Sequence, residues 1–122
     1  MIREGVRPSG LTRLWFALLN SLRGIANCYR SEAAFRQEIW GLIIVVPLAL
    51  KIGDTGVERV LLLGSYVILL IVELLNTGIE VVVDRIGLER HNLSGFAKDL
   101  GSAAVLLAIA LVVLTWALVI FG

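Results

Sequence analysis

Hydrophobic residues recur at three- and four-residue intervals in the first quarter of the chain, as they do along one face of an α-helix. These positions are Leu11, Leu14, Trp15, Leu18, Leu22, Ile25, Ala26 and Tyr29. The polar positions between them fall mostly on other sides of the helix and include three arginines. The pattern predicts an amphipathic helix over residues 9–30, capped by Ser9, that lies in the membrane interface with its arginines among anionic headgroups.

Three later segments are apolar enough to cross a bilayer, whose hydrocarbon core requires about 20 residues of helix. Residues 101–122 carry no charge, whereas the charge-free run at 39–50 needs its flanking turn to reach across. We therefore expect transmembrane helices at about 33–52, 57–84 and 100–121. The predicted fold class is an all-α membrane protein, a single domain over residues 1–122 with three transmembrane helices and an N-terminal amphipathic surface helix.

The composition supports a membrane protein. The chain has 122 residues, 58% of them hydrophobic, and a mean hydropathy of +0.91. Its net charge of +1 conceals an uneven distribution of basic residues. Nine of the 11 precede the first long apolar run or fall in the loop from Asp84 to Asp99, and only Lys51 and Arg59 lie on the opposite side. The positive-inside rule then predicts a cytoplasmic N-terminus and a C-terminus outside.

The second span contains a polar stripe in an otherwise apolar helix. Glu73 and Glu80 lie about 20° apart around the helix, Asn76 and Thr77 flank that line, and Asp84 continues it. An ionisable side chain in hydrocarbon costs at least ~2.5 to 3.5 kcal/mol, so two carboxylates on one face indicate a metal, proton or substrate site. The alternative is a structural network of hydrogen bonds between helices, each contributing roughly 0.6 kcal/mol.

Three spans and one surface helix cannot easily enclose this polar stripe. The third span offers small residues, among them Gly101, Ser102 and Ala104, that let helix backbones approach closely. We therefore expect the acidic stripe to face other copies of the chain in a homo-oligomer.

The chain lacks the glycine-rich phosphate loops and the kinase catalytic-loop motif that would identify a soluble nucleotide enzyme. It instead combines carboxylates with arginines and Lys98 at the cytoplasmic membrane boundary. Carboxylates suit Mg²⁺, basic side chains suit phosphate, and a carboxylate set in the apolar layer could accept a proton from a hydroxyl. Phosphoryl transfer and a cation or proton pathway are both consistent with these residues.

Four sequence blocks resemble the small integral-membrane diacylglycerol kinases of bacteria, in order and with the family's spacing. They are Glu32-Ala33-Ala34-Phe35-Arg36-Gln37-Glu38, Val72-Glu73-Leu74-Leu75-Asn76-Thr77-Gly78-Ile79-Glu80 continuing to Asp84-Arg85-Ile86-Gly87, Leu93-Ser94-Gly95, and Ala97-Lys98-Asp99-Leu100-Gly101-Ser102-Ala103-Ala104-Val105. The resemblance implies a homotrimer in the bacterial inner membrane, with active sites formed between subunits. It also implies transfer of the γ-phosphate of MgATP to diacylglycerol at the cytoplasmic face, giving phosphatidic acid, with no nucleic acid partner.

The resemblance also assigns roles to residues. Glu73 corresponds to the general base, Glu32 and Glu80 to Mg²⁺ ligands, and Asn76 to a supporting residue. The residues implied for the nucleotide are Arg13, Asn20, Glu32, Glu80, Glu89, Arg90, His91, Lys98 and Asp99. Those implied for the lipid substrate are Arg13, Ala34, Phe35, Arg36, Gln37, Glu38, Lys51, Arg59, Glu73 and Ser102. The chain departs from the best-known member at Asn20, Leu22 and Arg90, where that protein carries bulkier aromatic residues.

Three other functions are open at this point. Related small kinases phosphorylate undecaprenol, although the block from Glu32 to Glu38 resembles the diacylglycerol branch more closely. An oligomeric proton or cation pathway would also place Glu73 and Glu80 at a helix interface, but the third span has no polar stripe to complete a route across. A non-catalytic assembly factor would use the polar residues only for helix association.

Overall fold

Four α-helices account for nearly all of the part of the chain that the structure describes. The computed structural model describes residues 9–122, which form α1 (Gly10–Ser31), α2 (Ala33–Ile52), α3 (Gly56–Ile86) and α4 (Asn92–Phe121). The last three are each long and apolar enough to cross a membrane. The predicted all-α fold with three candidate spans is therefore confirmed. Arg3 and Arg7, two of the basic residues that predict the orientation, lie outside the described residues.

A single residue, Glu32, separates α1 from α2 and adopts an extended conformation with φ −114° and ψ 110°. The angle between the two helices is fixed by side chains on either side of it. Arg36 Nη1 donates to the carbonyl oxygens of Tyr29 and Arg30 at 2.7 and 3.2 Å, and Trp40 Nε1 donates to the Tyr29 hydroxyl at 2.8 Å. Glu32 is thereby held at a braced elbow between the surface helix and the first span.

The turn between α2 and α3 ends in a capping box. Thr55 Oγ1 accepts from the Glu58 backbone N–H at 3.2 Å, and Glu58 Oε2 accepts from the Thr55 N–H at 3.1 Å. Arg59 Nε also donates to the Gly53 carbonyl at 3.1 Å. These bonds satisfy backbone groups that the helix ends leave unpaired.

The two remaining helix starts differ in part from the sequence predictions. Ser9 occupies the cap position of α1, but its side chain makes no capping hydrogen bond. Gly87 follows the last residue of α3, a position where glycine commonly ends a helix. Ser94 is not the cap of α4, although serine is a common cap residue. The helix begins earlier, at Asn92, and His91 Nδ1 accepts from the Leu93 N–H at 3.1 Å. An imidazole acceptor can cap a helix as a hydroxyl does, and the sequence pattern did not indicate it.

Helix α3 is the centre of the fold and contacts the other three helices. The few fully buried side chains, such as Phe35 and Leu62, lie along its contacts with α2 and α4. Trp116 Nε1 reaches across from α4 and donates to the Leu62 carbonyl at 3.2 Å. Most large apolar side chains point away from the bundle. This is the arrangement expected when lipid tails, or other copies of the chain, cover the outside.

The capping box generates a prediction about stability. Thr55→Ala removes the acceptor for the Glu58 N–H and should lower the free energy of unfolding by about 1 kcal/mol. Unfolding by sodium dodecyl sulfate in mixed micelles, followed by circular dichroism, would measure it. Ser9→Ala is the matched control, because Ser9 sits at a cap position without the hydrogen bond, and it should leave the unfolding curve unchanged. Equal effects of the two substitutions would contradict the prediction.

Candidate active site

The polar residues of the spans lie in two layers at different depths. Counting 1.5 Å per residue, Glu73 lies about 26 Å along α3 from Gly56, and Glu38 lies about 21 Å along α2 from Ile52. With the hydrocarbon core taken to begin at these helix ends, both residues lie within its ~30 Å thickness. Glu80 and Glu32 lie about 36 and 30 Å from the same helix ends, at or beyond the boundary. Glu73 and Glu38 thus form a deep pair of carboxyl groups, and Glu80 and Glu32 form a shallower pair.

The deep pair is in direct contact. Glu73 is only 9% exposed, and its carboxyl group lies within hydrogen-bonding reach of that of Glu38 on α2. Glu38 Oε2 is buried, with no hydrogen-bond donor among the described residues. Two carboxyl groups so placed share a proton or take up a cation. The pair can therefore exchange a proton with a group that reaches this depth.

A tyrosine that the sequence prediction did not include holds Glu38 in place. The Tyr66 hydroxyl donates to the Glu38 backbone carbonyl at 2.5 Å. It reaches that oxygen because Gly41 has no side chain: a Cβ at position 41 would lie 2.5 Å from the hydroxyl oxygen. A tyrosine in a charge-free stretch of span needs a partner for its hydroxyl, and this could have identified Tyr66 from the sequence.

Asn76 and Glu80 form the next polar group along α3. Asn76 Nδ2 donates to Glu80 Oε1 at 3.4 Å, one helical turn away. The Oδ1 atom of Asn76 is buried against Gly101 of α4 and has no hydrogen-bond donor in the described part of the chain. Glu80 is half-buried and lies close enough to Lys98 for electrostatic attraction between the two. The predicted supporting role of Asn76 is compatible with this position beside Glu80.

Helix α1 is tied to the same region of α3 by a cysteine. The Cys28 thiol donates to Thr77 Oγ1 at 3.6 Å. Burial raises the pKa of this thiol, so it stays neutral and serves as a packing residue. The contact brings the end of α1, and with it Glu32 at the elbow, toward the acidic stripe of α3.

The loop between α3 and α4 lines a cavity of about 500 Å³. Five of the residues implied for the nucleotide line it: Glu89, Arg90, His91, Lys98 and Asp99. Lys98 Nζ lies 2.9 Å from Asp84 Oδ1, which also lines the cavity, and both side chains are about half-exposed. The cavity places Arg90 and Lys98 at the polar end of the spans, and such cationic side chains can bind a phosphate-bearing ligand.

Other predicted site residues are not brought together within one chain. Arg13 and Asn20 lie on the exposed side of α1 and do not line the loop cavity, nor do Glu32 and Glu80. Ser102 is exposed on α4, next to Gly101 in the sequence.

The residues implied for the lipid divide between the two ends of the spans. Lys51 is 13 residues from Glu38 on α2, and Arg59 is 14 residues from Glu73 on α3, so each pair is about 20 Å apart. Arg36 donates to the end of α1 instead of facing the carboxyl pair. Ala34, Phe35 and Gln37 lie on the first turn of α2, beside the elbow, and only Phe35 is buried.

The carboxylates fit Mg²⁺ as a ligand that arrives with phosphate. Within residues 9–122 no three His, Cys, Asp or Glu side chains converge as a metal site. Mg²⁺ takes one or two protein carboxylates and completes its coordination with water and substrate phosphates, so it does not need such a cluster. The hard oxygen donors of Glu80 and Glu32 match that requirement.

The sequence comparisons agree with the motifs. Residues 19–120 match the family model of prokaryotic diacylglycerol kinase. The chain is 46% identical over 114 residues to the diacylglycerol kinase of Escherichia coli strain K12, with 93% of each chain covered. It is 42% identical over 115 residues to that of Haemophilus influenzae, covering 94% of this chain and 98% of the relative. Its identity to the Pseudomonas aeruginosa diacylglycerol kinase is 43% over 114 residues, with 93% of each chain covered. The protein therefore belongs to the prokaryotic diacylglycerol kinase family, as its sequence motifs predicted.

Proposed function

We propose that the protein transfers the γ-phosphate of MgATP to the free hydroxyl of diacylglycerol, giving phosphatidic acid at the cytoplasmic face of the bacterial inner membrane. The observation that carries the proposal is the buried Glu73, in contact with Glu38 in the apolar layer, at the level that a lipid hydroxyl can reach. The cavity for a phosphate-bearing ligand lies at the polar end of the same helices. Membership of the family supports the assignment of the carboxyl pair to the lipid and of the cavity to the nucleotide.

In this mechanism Glu73 acts as the general base. The lipid hydroxyl loses its proton to the Glu73 carboxylate while its oxygen attacks the γ-phosphorus, and the bond to the leaving ADP oxygen breaks. Phosphoryl transfer of this kind depends mainly on positioning and on stabilising charge. The Glu38 carboxyl group lies beside that of Glu73, on a segment of α2 whose backbone Tyr66 contacts at the Glu38 carbonyl.

The loop cavity binds the nucleotide in this proposal. Lys98 and Arg90 supply positive charge for the phosphates. The Nδ1 atom of His91 is occupied by the Leu93 N–H in the helix cap, which leaves Nε2 for contact with a ligand. Asp84 orients Lys98 through their ion pair.

Glu80 and Glu32 would hold Mg²⁺ together with the phosphate oxygens. When bound, the metal neutralises charge that develops on the phosphates. The chain positions these two carboxylates independently: Asn76 orients Glu80, and the braced elbow at Tyr29, Arg36 and Trp40 orients Glu32.

A homotrimer would complete each site. In one chain Arg13 and Asn20 do not line the loop cavity, and the described part of the chain covers the acidic stripe only in part. A neighbouring subunit packed against α3 would shield the stripe from lipid and could bring its own α1 to the cavity. The excess of basic residues near the N-terminus and the α3–α4 loop supports a cytoplasmic location for these sites.

The first prediction concerns the base. Glu73→Gln keeps the size and a hydrogen-bonding group but cannot accept the proton, so it should reduce turnover to background while MgATP still binds. Transfer of labelled γ-phosphate to diacylglycerol in mixed micelles, with nucleotide binding measured in parallel, would test this. Asp54→Asn makes the same kind of change, from a carboxyl group to an amide, in the exposed turn at the other end of the spans. This variant should retain wild-type turnover. Substantial turnover by Glu73→Gln would remove Glu73 as the base.

The second prediction concerns the lipid substrate. The wild-type protein should phosphorylate diacylglycerol far faster than undecaprenol when both are presented at equal mole fraction in the same micelles. A preference for undecaprenol would place the protein in the other branch of small lipid kinases. A folded oligomer that phosphorylates neither lipid would favour the ion-pathway interpretation of the acidic stripe.

The third prediction concerns Lys98. Lys98→Gln should raise the KM for ATP roughly tenfold, since it removes a positive charge from the cavity. Asp84→Asn keeps that charge but removes the group that orients it, so its effect on KM should be smaller. Because both side chains are about half-exposed, neither change should alter unfolding appreciably. An unchanged KM in Lys98→Gln would contradict the placement of the nucleotide in this cavity.

A further inference from the structure

A close approach between α3 and α4 occurs beside the proposed nucleotide metal ligand Glu80. Gly101 is buried, and a Cβ built on it would overlap the Oδ1 atom of Asn76. The atoms next nearest to that Cβ are Asn76 Cγ at 3.2 Å and Ile79 Cδ1 at 3.7 Å. The Asn76 amide therefore occupies the space that a side chain at position 101 would take.

This contact fixes the direction of the Asn76 amide. Its buried Oδ1 has no N–H or O–H donor in the described part of the chain, and it lies where a Gly101 Cα–H bond points. Such Cα–H···O contacts recur at helix interfaces where the backbones approach closely. With Oδ1 directed at α4, Nδ2 is directed along α3 and donates to Glu80 Oε1. The amide thus connects the backbone of α4 to the Glu80 carboxylate.

We propose that Gly101 is a positioning residue for the kinase reaction: its missing side chain seats the Asn76 amide so that Nδ2 holds the Glu80 carboxylate in its working orientation. The inference rests on the proposed function of Glu80, and it adds a residue to which no role in the site was assigned. This role of Gly101 differs from general helix packing. The atom that a Cβ at position 101 would displace is the end of a flexible side chain, not backbone. An added methyl group at position 101 would rotate the amide and leave the helices in place.

Gly64 provides a matched control within the spans. It also lies in the interior of a membrane helix, but a Cβ built there would meet no atom of the described chain within 4 Å. Gly64→Ala therefore makes the same chemical change, with the same gain in helix propensity, without displacing a polar group. Any difference between the two alanine variants reports on the space beside Asn76.

The first measurement observes the amide directly and does not depend on activity. The chain has four asparagines, so selective ¹⁵N-asparagine labelling gives few side-chain amide signals, and Asn76→Ala identifies that of Asn76 by its loss. Gly101→Ala should shift the Asn76 signal, whereas Gly64→Ala should leave it in place. An Asn76 signal unmoved by Gly101→Ala would overturn the proposal, whatever the activity of the protein.

The second measurement is a double-mutant cycle on kinase activity. Gly101→Ala should lower kcat about tenfold and raise the Mg²⁺ concentration needed for half-maximal rate, while the KM for diacylglycerol stays the same. In the Asn76→Ala background, where the amide is already absent, adding Gly101→Ala should cause no further loss. A full additional loss in the double variant would assign Gly101 to helix packing and overturn the proposal.

A folding failure would also be informative. If Gly101→Ala does not assemble, removal of the overlapping amide in Asn76→Ala/Gly101→Ala should restore assembly and the activity of Asn76→Ala alone. Failure of the double variant to assemble would show that the methyl group collides with something other than Asn76, and would overturn the proposal. Absence of lipid phosphorylation by the wild-type protein would instead contradict the proposed function, and the amide signals would still test the contact with Gly101.

Discussion

The structure depends on one constraint: the polar side chains of α3 need partners in a layer that offers no water. An isolated ionised carboxylate in such a layer is too costly to retain, so the other helices must approach α3 closely enough to supply contacts. Helix α2 does so about one helical turn away from α1 and α4, which contact adjacent residues. Helix α2 brings Glu38 to Glu73, α1 brings Cys28 to Thr77, and α4 brings the Gly101 backbone to Asn76.

Glycines permit two close contacts between α3 and its neighbours. Gly41 admits the Tyr66 hydroxyl to the backbone of α2, and Gly101 admits the Asn76 amide to the backbone of α4. Glu73 lies between these two contacts on α3, the helix that both α2 and α4 contact. The result is a deep level suited to a lipid hydroxyl and a shallower level suited to phosphate and metal. In the proposed function, the depth of a residue in the membrane would separate the two substrates.

The thin core of the single chain follows from the same constraint. Helix α3 supplies five buried residues, more than any other helix, while α4 buries only Gly101 and Ala108 and leaves its large apolar side chains facing outward. A membrane protein gains little from burying such side chains against one another, because lipid tails are equally apolar. Association with other copies would therefore depend on small residues and on polar groups that need partners, which concentrate on α3 and at the start of α4.

The sequence by itself determined the four helices, the three spans, the acidic stripe and the family, because hydrophobic periodicity and family motifs are local in the chain. It could not indicate His91 as the α4 cap or Arg36 as a brace for the elbow, since each depends on where a neighbouring backbone lies. Only the tertiary structure decided that Glu38 is the neighbour of Glu73 and that Gly101 faces Asn76. The depth and rotation of one helix against another are set by packing, which no single helical pattern contains.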